Sequence, residues 1–499
     1  EARTTTHSGL TAGKRLPRSE AGLRSTPSTD VLIPGAHFLP GGEYREISTT
    51  DFTNAILAHC PDLYKRGNIQ GLLIDRRFVP LTKELARKLI GERVRLIRKV
   101  IKDDQPVDQY IVPSNDHGSI FNTGVVGHRK LHNLDGIFHH PVFSPSGQLV
   151  KPGYHDGLFY CEPDDLRGFT PTRDDDAIPE LLVDFHFKSD ANYWNYVGLL
   201  ITPMIRPMLL GNVPMHLIAS PIERCGKTLL ASEVLGALYF GAPVSALQLT
   251  GSPDEQDKRI TALLISGSTI VHLDNINEAI DSGALASLLT TRSWQGRLLG
   301  HSEMIELHNH VTIVATANNP RTSGEIAKRS VPILLQPRED HPELRTDFSH
   351  PDIAAYTIQH RRRVLQHIAW LVLNRRHTST IPFGGFGVWA YTIGCVLPDT
   401  PWLTNAQSWR DTADGFDQAT RDLVQAWIDA YLPEPTAADL LPLAREIEGF
   451  AWIFNKPTER GQQIAFASSV LRKLAGRVVL GFRVETRTLD GKTRYRLAQ

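Results

Sequence analysis

At 499 residues the chain is too long for one compact domain, so we expect about two to four domains. Its 54 basic and 54 acidic residues cancel, which excludes a global electrostatic attraction to nucleic acid and leaves such binding to local basic patches. The four cysteines (Cys60, Cys161, Cys225 and Cys395) are widely spaced, which argues against a disulfide framework and favours a reducing, cytoplasmic location. No apolar run is long enough to span a bilayer, and the first thirty residues lack the apolar centre of a secretory signal.

The first third of the chain predicts a tail followed by a mixed domain. Residues 1–42 are rich in Thr, Ser, Gly, Arg and Pro, a composition typical of a flexible tail or linker. Residues 43–185 combine short apolar segments with turn signals and include a predicted helix over Leu81–Val94. We therefore expect an α+β domain in this region.

Residues 186–380 are the most regular part of the chain, because predicted strands and helices alternate there. This alternation predicts an α/β core, a parallel sheet with helices on both faces. A long amphipathic helix is predicted from Pro351 to about Arg375. The predicted strands are Met215–Ser220, Val244–Thr250, Thr269–Asn275, Val311–Asn318 and Val331–Gln336, and the predicted helices between them are Lys227–Tyr239, Asp254–Ser266 and Ser282–Thr291.

A phosphate-binding loop is predicted between the first of these strands and its helix. Backbone amides of such a loop surround the β-phosphate, Lys227 supplies positive charge to the β- and γ-phosphate oxygens, and the Thr228 hydroxyl ligates Mg²⁺. Pro221 stands where the usual pattern has its first glycine, and a chance Gly-Lys-Thr at a helix start is the alternative interpretation. The predicted nucleotide-binding residues are Pro221, Glu223, Arg224, Cys225, Gly226, Lys227, Thr228 and Leu229.

Three further motifs follow the loop in chain order. Asp274 ends an apolar strand at the sheet edge where ligands bind, which makes it the second predicted metal ligand, although Asp-Asn alone is an ordinary turn. Asn318 or Asn319 ends the next buried strand and is predicted to hold the attacking water, although Asn-Asn-Pro also favours a turn. Arg329 precedes the last strand, where it either reaches a neighbouring subunit's γ-phosphate or is a solvated surface arginine.

Taken together, these motifs resemble AAA+ P-loop ATPases, and within them superfamily 3 helicases and the helicase domains of phage and integrative-element replication proteins. The resemblance covers Asn192–Arg376 and is clearest at Thr316–Pro320, Lys328–Ile333 and Thr291–Gly300. It implies an ATP- and Mg²⁺-dependent DNA helicase or translocase that acts as a homo-oligomeric ring, expected to be a hexamer, on single-stranded or forked DNA. It also implies a bacterial host or phage-infected cell, and it admits a primase as a partner.

The same resemblance implies a DNA-gripping hairpin and a lid. In that family the segment before the sensor strand forms a hairpin that points into the pore of the ring and grips single-stranded DNA. The corresponding segment here is Gly296–Asn309, and its implied phosphate contacts are Arg292, Arg297 and His301. Residues 381–435 resemble the helical lid that follows the ATPase core.

Asn275 departs from the family pattern, because many members carry a water-activating glutamate at that position. Either another acid, such as Glu278 or Glu255, takes the role, or Asn275 positions the water without acting as a base. Nucleotide binding does not depend on this choice. The predicted catalytic set is Lys227, Asp274, Asn275, Asn318 and Arg329.

Residues 436–499 have the layout of a winged helix, namely two helices followed by a basic hairpin. The helices are predicted over Leu443–Phe454 and Phe466–Leu474, and the hairpin strands are predicted over Val478–Val484 and Arg494–Leu497 around Asp490-Gly491. DNA binding is the favoured interpretation of the basic residues, and a solubilising edge hairpin is the alternative. The predicted contacts are Arg472, Arg483, Arg487, Lys492 and Arg494.

Two other patterns receive structural interpretations. The histidines between His117 and His155, with Cys161, fit no zinc-ligand spacing and are interpreted as core and surface residues. Arg361–Arg363 is interpreted as one charged face of a long helix.

Two rival functions accompany the helicase hypothesis. An AAA+ machine that remodels proteins would thread them with an aromatic, apolar loop, whereas Gln295–Glu306 is polar and leans basic. An ATP-switched, DNA-binding replication initiator is kept open by Asn275, since such a switch needs no strong base.

Overall fold

The computed structural model describes residues 29–38, 44–103, 105–209, 211–248, 252–276, 283–297, 304–318, 327–339, 341–377, 382–413, 415–489 and 491–498. Most of the tail predicted over residues 1–42 therefore lies outside the described residues. The tail prediction is wrong for its last part, because Asp30–Leu32 and Gly35–Phe38 are paired strands. The described chain divides into two compact units. One comprises the described parts of Glu1–Ile74 and Phe78–His132, and the other those of Asp75–Arg77 and Asn133–Gln499.

The first unit combines short strands with three helices. Its helices Thr49–Leu57, Lys83–Arg93 and Asn115–Gly124 each begin after a Ser or Thr whose hydroxyl accepts a hydrogen bond from the first turn. The helix predicted over Leu81–Val94 is thereby confirmed. The strands are β1 (Asp30–Leu32), β2 (Gly35–Phe38), β3 (Tyr44–Ile47), β4 (Leu63–Arg66), β5 (Ile69–Ile74), β6 (Arg77–Pro80), β7 (Arg95–Lys102) and β8 (Gln105–Ile111). They are ordered β1-β7-β8, β2-β3 and β6-β5-β4.

The chain passes into the second unit within β9 (His132–Asn133). A small sheet follows, made of β10 (Gly136–Phe138), β11 (Gly153–His155) and β12 (Leu158–Tyr160). Helices Ala177–Leu181 and Asp190–Ile205 lead from it to the central sheet.

The central sheet has five strands in the order β14-β15-β18-β13-β19, and every neighbouring pair is parallel. They are β13 (Met215–Ser220), β14 (Ala246–Leu247), β15 (Ile270–Leu273), β18 (Thr312–Asn318) and β19 (Ser330–Leu334). Strand β13 is buried along its whole length, as expected for a strand covered on both faces. The predicted parallel sheet is confirmed; the strand predicted over Val244–Thr250 is shorter, since β14 is a two-residue edge strand.

Helices and one hairpin surround this sheet. Helices Pro253–Ser266 and Gly283–Thr290 precede β15 and β16 (Ser293–Arg297), and β16 pairs antiparallel with β17 (Met304–His308). The segment Leu229–Val234 continues into helix Leu235–Phe240, and the long helix Ile353–Leu373 confirms the amphipathic prediction. The core of these elements also contains buried residues from Phe143 to Leu182 and from Phe383 to Ala406.

The run Arg361–Arg363 does not form one charged helix face, contrary to the sequence interpretation. Arg361 is only 3% exposed, and its guanidinium lies 3.1 Å from Asp165. The Arg363 guanidinium pairs with Asp174. Successive helix residues project about 100° apart, so this run faces several directions and attaches the helix to the segment 165–180.

The C-terminal part has its own core, formed by buried residues between Ala419 and Tyr495. Helices Gly387–Val396 and Ala406–Ala413 come before this core, and the first of them packs in the core of the central sheet. The helices of the C-terminal core are Gly415–Asp429, Ala437–Arg445, Ala451–Phe454, Glu459–Phe466 and Arg472–Leu474, the last two joined through Ala467–Leu471. The helix predicted over Leu443–Phe454 is wrong in extent. The Thr436–Asp439 capping box starts a helix at Ala437 that ends at Arg445, and a separate helical segment begins at Glu448.

The C-terminal sheet consists of β20 (Val478–Val479), β21 (Phe482–Leu489) and β22 (Lys492–Ala498). The single strand predicted over Val478–Val484 is interrupted because Leu480 and Gly481 adopt positive φ angles of 52° and 84°. The pairing of Leu489 with Lys492 confirms the predicted hairpin, with a two-residue turn. Within the described ranges, no helix has both the length and the apolar character needed to cross a membrane.

Candidate functional site

Three parallel strands bring four of the five predicted catalytic side chains, those of Lys227, Asp274, Asn275 and Asn318, to one edge of the sheet. The loop 221–228 follows β13, Asp274 and Asn275 follow β15, and Asn318 ends β18. In sheets of this kind ligands bind outside the carboxyl ends of the strands. A cavity of about 410 Å³ lies there, lined by Glu223, Arg224, Cys225, Gly226, Lys227, Thr228, Leu229, Asp274, Asn275, Thr316 and Asn318.

The loop has backbone features that its residue types support. Gly226 has a φ of 89°, and a Cβ there would come within 3.0 Å of the Phe185 ring, so glycine fits both the conformation and the space. Arg224 adopts a φ of 56°, which is uncommon for a residue with a side chain. The Ile222 amide donates to Ser220 Oγ over 3.1 Å and fixes the start of the loop after Pro221.

Lys227 is 8% exposed, and its Nζ donates to the Ile222 carbonyl over 3.0 Å. The ammonium therefore lies within the curve of the loop, where backbone amides of a loop and helix start would surround a phosphate. Leu229 begins the following helical segment and lines the same cavity.

The two predicted metal ligands are adjacent. Thr228 Oγ1 donates to Asp274 Oδ1 over 3.2 Å, although the two residues belong to different strand-end loops. Buried His272 places its Nε2 at 3.6 Å from the same oxygen. Burial lowers the pKa of His272 more than the Asp274 carboxylate raises it, so His272 is neutral near pH 7.

Thr316 is a site residue that the sequence motifs did not identify. Its hydroxyl donates to Asp274 Oδ1 over 2.6 Å and accepts from the Asn275 amide over 2.9 Å. The Thr316 carbonyl also accepts from the Ile276 amide over 2.8 Å. Thr316 thus fixes both the carboxylate and the turn at Asn275, whose φ is 52°.

The two asparagines of the predicted catalytic set lie together. Asn318 Nδ2 is 3.5 Å from Asn275 Oδ1 and 3.4 Å from Glu223 Oε1. Three polar side chains from three loops therefore meet at one end of the cavity. The alternative sensor residue Asn319 and the alternative base Glu278 lie outside the described residues.

Glu255, the other alternative base, lies on helix Pro253–Ser266. Its carboxylate accepts from Lys258 Nζ over 2.8 Å, and this hydrogen bond lowers the pKa of Glu255. The structure therefore ties Glu255 to its own helix and does not bring it among the residues that line the cavity.

A second cavity of about 430 Å³ adjoins the first along Arg224, Cys225, Gly226 and Leu229. The Asp184 carboxylate shapes its wall, since it accepts from the amides of Ser349 and His350 over 2.9 and 2.8 Å and lies 3.3 Å from the Arg345 guanidinium. The other walls include Phe185, His186, Phe348 and Ile353. These residues come from distant segments, so no sequence spacing could have identified the cavity.

Arg329 is not brought to this site within its own chain. Its carbonyl accepts from the Met215 amide at the start of β13, whereas the loop follows the end of that strand. A six-residue strand spans roughly 20 Å. Arg329 therefore lies at the amino ends of the strands, whereas Lys227 lies beyond their carboxyl ends.

A hairpin formed by β16 and β17 is present in the segment for which the resemblance implies one, and it begins at Ser293, before the expected Gly296. Trp294, Ile305 and Leu307 face inward, and Trp294 Nε1 donates to Thr261 Oγ1 over 2.9 Å. Arg297 lies on the outward face, and Arg292 is exposed just before β16. His301 and Leu298–Gly300 lie outside the described residues.

The predicted basic wing also has one inward and one outward face. Val484 and Tyr495 are buried, and by strand alternation Arg483, Arg487, Lys492 and Arg494 share the opposite face. Two of these contact Glu434: Arg487 pairs with its carboxylate at 3.3 Å, and Arg494 donates to its carbonyl over 3.1 Å. Arg472 is exposed on the preceding helix.

The comparisons with known proteins yield distant structural similarities. No family model matches the chain, and no curated protein matches it. It is similar to the apo NrS-1 C-terminal region (305–718) at 12% identity and a TM-score of 0.38, over 91% of this chain and 100% of that chain. An A-form structure of the NrS-1 C-terminal region has 11% identity and a TM-score of 0.39, over 81% and 94%. SCCmec type IV Cch, titled an active helicase, has 10% identity and a TM-score of 0.32, over 74% and 81%. Similarity at this level assigns neither a fold nor a function to this chain.

Proposed function

We propose that this protein is an ATP-dependent DNA helicase or translocase that acts as a ring in the replication of a phage or integrative mobile element. The single observation that carries the proposal is the meeting of Lys227, Thr228 and Asp274 at the carboxyl edge of the parallel sheet. Binding of a nucleoside triphosphate with Mg²⁺ requires a cation, a hydroxyl and a carboxylate in this arrangement.

The residues present fit Mg²⁺, because the Thr228 hydroxyl and the Asp274 carboxylate are adjacent oxygen ligands. Bound Mg²⁺ would neutralise charge on the phosphate oxygens. Lys227 and the loop amides would bind the β- and γ-phosphates, and Asn318 with Asn275 would orient water. The second cavity, with apolar walls at Phe185 and Ile353, would take the base of the nucleotide.

We further propose that the second unit contains an ATPase core over residues 186–380, a helical lid over 381–435 and a winged helix over 436–499. The separate hydrophobic core between Ala419 and Tyr495 supports a C-terminal domain, and it includes helix Gly415–Asp429 from the end of the proposed lid. The outward faces of the hairpin at Arg297 and of the wing at Arg483 and Lys492 would contact DNA phosphates, because a chain of zero net charge depends on such local clusters.

An ATP-switched replication initiator is the second candidate. The observation that favours it is Asn275, because an amide at this position cannot accept the proton of the attacking water. Such a switch would bind nucleotide at the same cavity and hydrolyse it slowly or not at all.

The test is steady-state ATP turnover by the wild-type chain, Lys227→Ala and Lys151→Ala. Lys227→Ala should lose turnover, because charge on the γ-phosphate is no longer compensated in the transition state. Lys151→Ala is the matched control, since this exposed lysine precedes β11. Near-normal turnover in Lys227→Ala would contradict the assignment of the phosphate loop.

A further inference from the structure

The chemistry of the proposed reaction calls for a carboxylate near the attacking water, and the strand end after β15 offers the amide of Asn275 instead. Among the described residues that line the phosphate cavity, the carboxylates are those of Glu223 and Asp274. Asp274 accepts hydrogen bonds from Thr228 and Thr316, and under the proposed function it is a ligand of Mg²⁺. Glu223 is the carboxylate that remains.

Glu223 lies where a base would be useful. Its Oε1 is 3.4 Å from Asn318 Nδ2, and the same amide nitrogen is 3.5 Å from Asn275 Oδ1. A water held by the two asparagine amides would therefore lie within reach of the Glu223 carboxylate. The side chain is exposed to the cavity, and within the described parts of the chain no ion pair holds its carboxylate.

The alternative base Glu255 differs on both points. It lies on a helix away from the cavity, and its carboxylate is occupied by Lys258. The Glu223 carboxylate therefore faces Asn318, which lies beside Asn275, whereas the Glu255 carboxylate faces a lysine of its own helix.

We propose that Glu223, in the phosphate loop itself, is the general base of ATP hydrolysis, a role that Asn275 cannot perform. This inference rests on the proposed function. The water oxygen forms a bond to the γ-phosphorus while its proton passes to the Glu223 carboxylate. The bond from the γ-phosphorus to the bridging oxygen breaks, its electron pair leaves with ADP, and inorganic phosphate is released.

The experiment compares the wild-type chain with Glu223→Gln, Glu255→Gln and Glu278→Gln. Glutamine keeps the oxygen that accepts from Asn318 but cannot take a proton at neutral pH. Removal of a general base lowers the rate on the order of 100-fold or more, so kcat of Glu223→Gln should fall by this factor. Affinity for a fluorescent ATP analogue, measured in parallel, should change little, and Glu255→Gln should keep normal turnover.

Retention of most turnover by Glu223→Gln would overturn the proposal, as would selective loss in Glu278→Gln. If Glu223→Gln fails to bind the analogue, Glu223→Ala decides the matter with added sodium formate. Restoration of turnover by this small carboxylate supports a base at this position, and its absence contradicts one. Failure of the proposed function would look different: the wild-type chain itself would bind the analogue without hydrolysing ATP, or would not bind it.

Discussion

Asp274 is held in place by hydroxyls on two sides, one from the phosphate loop and one from the neighbouring strand β18. The hydroxyls of Thr228 and Thr316 both donate to Asp274 Oδ1. The Thr316 hydroxyl also accepts a hydrogen bond from the Asn275 amide. Because the Thr316 oxygen accepts from this amide, its proton is directed toward the carboxylate. Thr316 is therefore a positioning residue for the predicted metal ligand.

Thr316→Val should raise the Mg²⁺ concentration needed for half-maximal ATP turnover by about 10-fold or more, as loss of such supporting hydrogen bonds does at other metal sites. Thr316→Ser should restore the wild-type value. The matched control is Thr312→Val in the same strand, since the Thr312 hydroxyl is buried and makes no hydrogen bond to any described residue. Equal Mg²⁺ dependence in the two valine variants would contradict the positioning role.

Buried histidines make the stability of the second unit depend on pH. Burial lowers the pKa of His140 to about 3, and the pKa values of His139 and His216 are lowered to about 4 and about 3 for the same main reason. When the pH falls below 6.5, the ordinary pKa of histidine, these residues are protonated in the unfolded chain but stay neutral in the folded chain. The free energy of unfolding should therefore decrease as the pH falls from 6.5 toward these values.

His140→Gln should make the loss of stability between about pH 6 and pH 4 shallower, by up to about 1.4 kcal/mol per pH unit. Urea unfolding at several pH values measures this slope. The control is His155→Gln, because His155 is exposed before β12. A slope unchanged by His140→Gln would show that folding does not lower the pKa of His140.

The sequence identifies residues whose role depends on local spacing, and misses those whose role depends on tertiary contacts. Lys227, Thr228 and Asp274 follow directly from strand ends and a loop pattern, and they meet as expected. Thr316 and Asp184 gain their roles only when distant segments pack together, and neither belongs to a spacing pattern.

At the scale of elements, helix Ile353–Leu373 is attached to the segment before the sheet by its arginines. Arg361 donates to the Leu238 carbonyl over 3.2 Å and pairs with Asp165, which is half exposed. Burial lowers the pKa of Arg361 and nearby Asp165 opposes this effect. The buried Arg361 guanidinium therefore joins helix Ile353–Leu373 to the Leu238 carbonyl and to the Asp165 carboxylate.

Arg361→Ala should lower the free energy of unfolding by about 2–3 kcal/mol, because carbonyls and a carboxylate lose their partner. The control is Arg376→Ala, whose pairing with Asp399 is exposed at both side chains and should contribute less than about 1 kcal/mol. Denaturant titration followed by tryptophan fluorescence measures both. Equal losses would contradict the anchoring role.

The success of the element predictions varies along the chain for physical reasons. Buried parallel strands are continuous apolar runs, so β13, β15, β18 and β19 were predictable within one or two residues. In the C-terminal part, boundaries depend on a capping box at Thr436 and on positive φ angles near Gly481. Such local backbone features leave a weaker trace in the hydrophobic pattern.

At the scale of the whole molecule, Arg329 bears on the proposed ring. It lies at the sheet edge opposite to Lys227 of the same chain. An arginine so placed does not reach the site of its own chain, and the proposed ring assigns it to the site of a neighbouring copy. This placement supports the proposal that active sites form between subunits.

Arg329→Ala should bind nucleotide almost normally while losing most of its ATP turnover. Mixing it with Lys227→Ala should restore some turnover, because a mixed interface can combine an intact loop with an intact arginine. Turnover is measured across mixing ratios, together with a check that mixed assemblies form. Mixed assemblies without any restored turnover would contradict action between subunits.

The proposed coupling to DNA rests on two outward faces, that of the hairpin, which carries Arg297 beside Glu306, and that of the basic wing. Each phosphate contact that is lost should reduce the salt dependence of DNA binding by roughly one unit or slightly less. Because the hairpin packs on helix Pro253–Ser266 and follows β15, it is the face that nucleotide-dependent movement would reach first. The wing at Arg483 and Lys492 would contact DNA when the protein is loaded onto it.

Steady-state ATP turnover with and without single-stranded DNA tests the central claim most directly. We expect the wild-type chain to hydrolyse ATP with Mg²⁺ and to do so several-fold faster with DNA, in line with a motor whose hairpin grips the strand. Arg297→Ala should lose most of this stimulation. Turnover that DNA does not change would contradict a DNA motor, and nucleotide binding without turnover would favour the ATP-switched initiator instead.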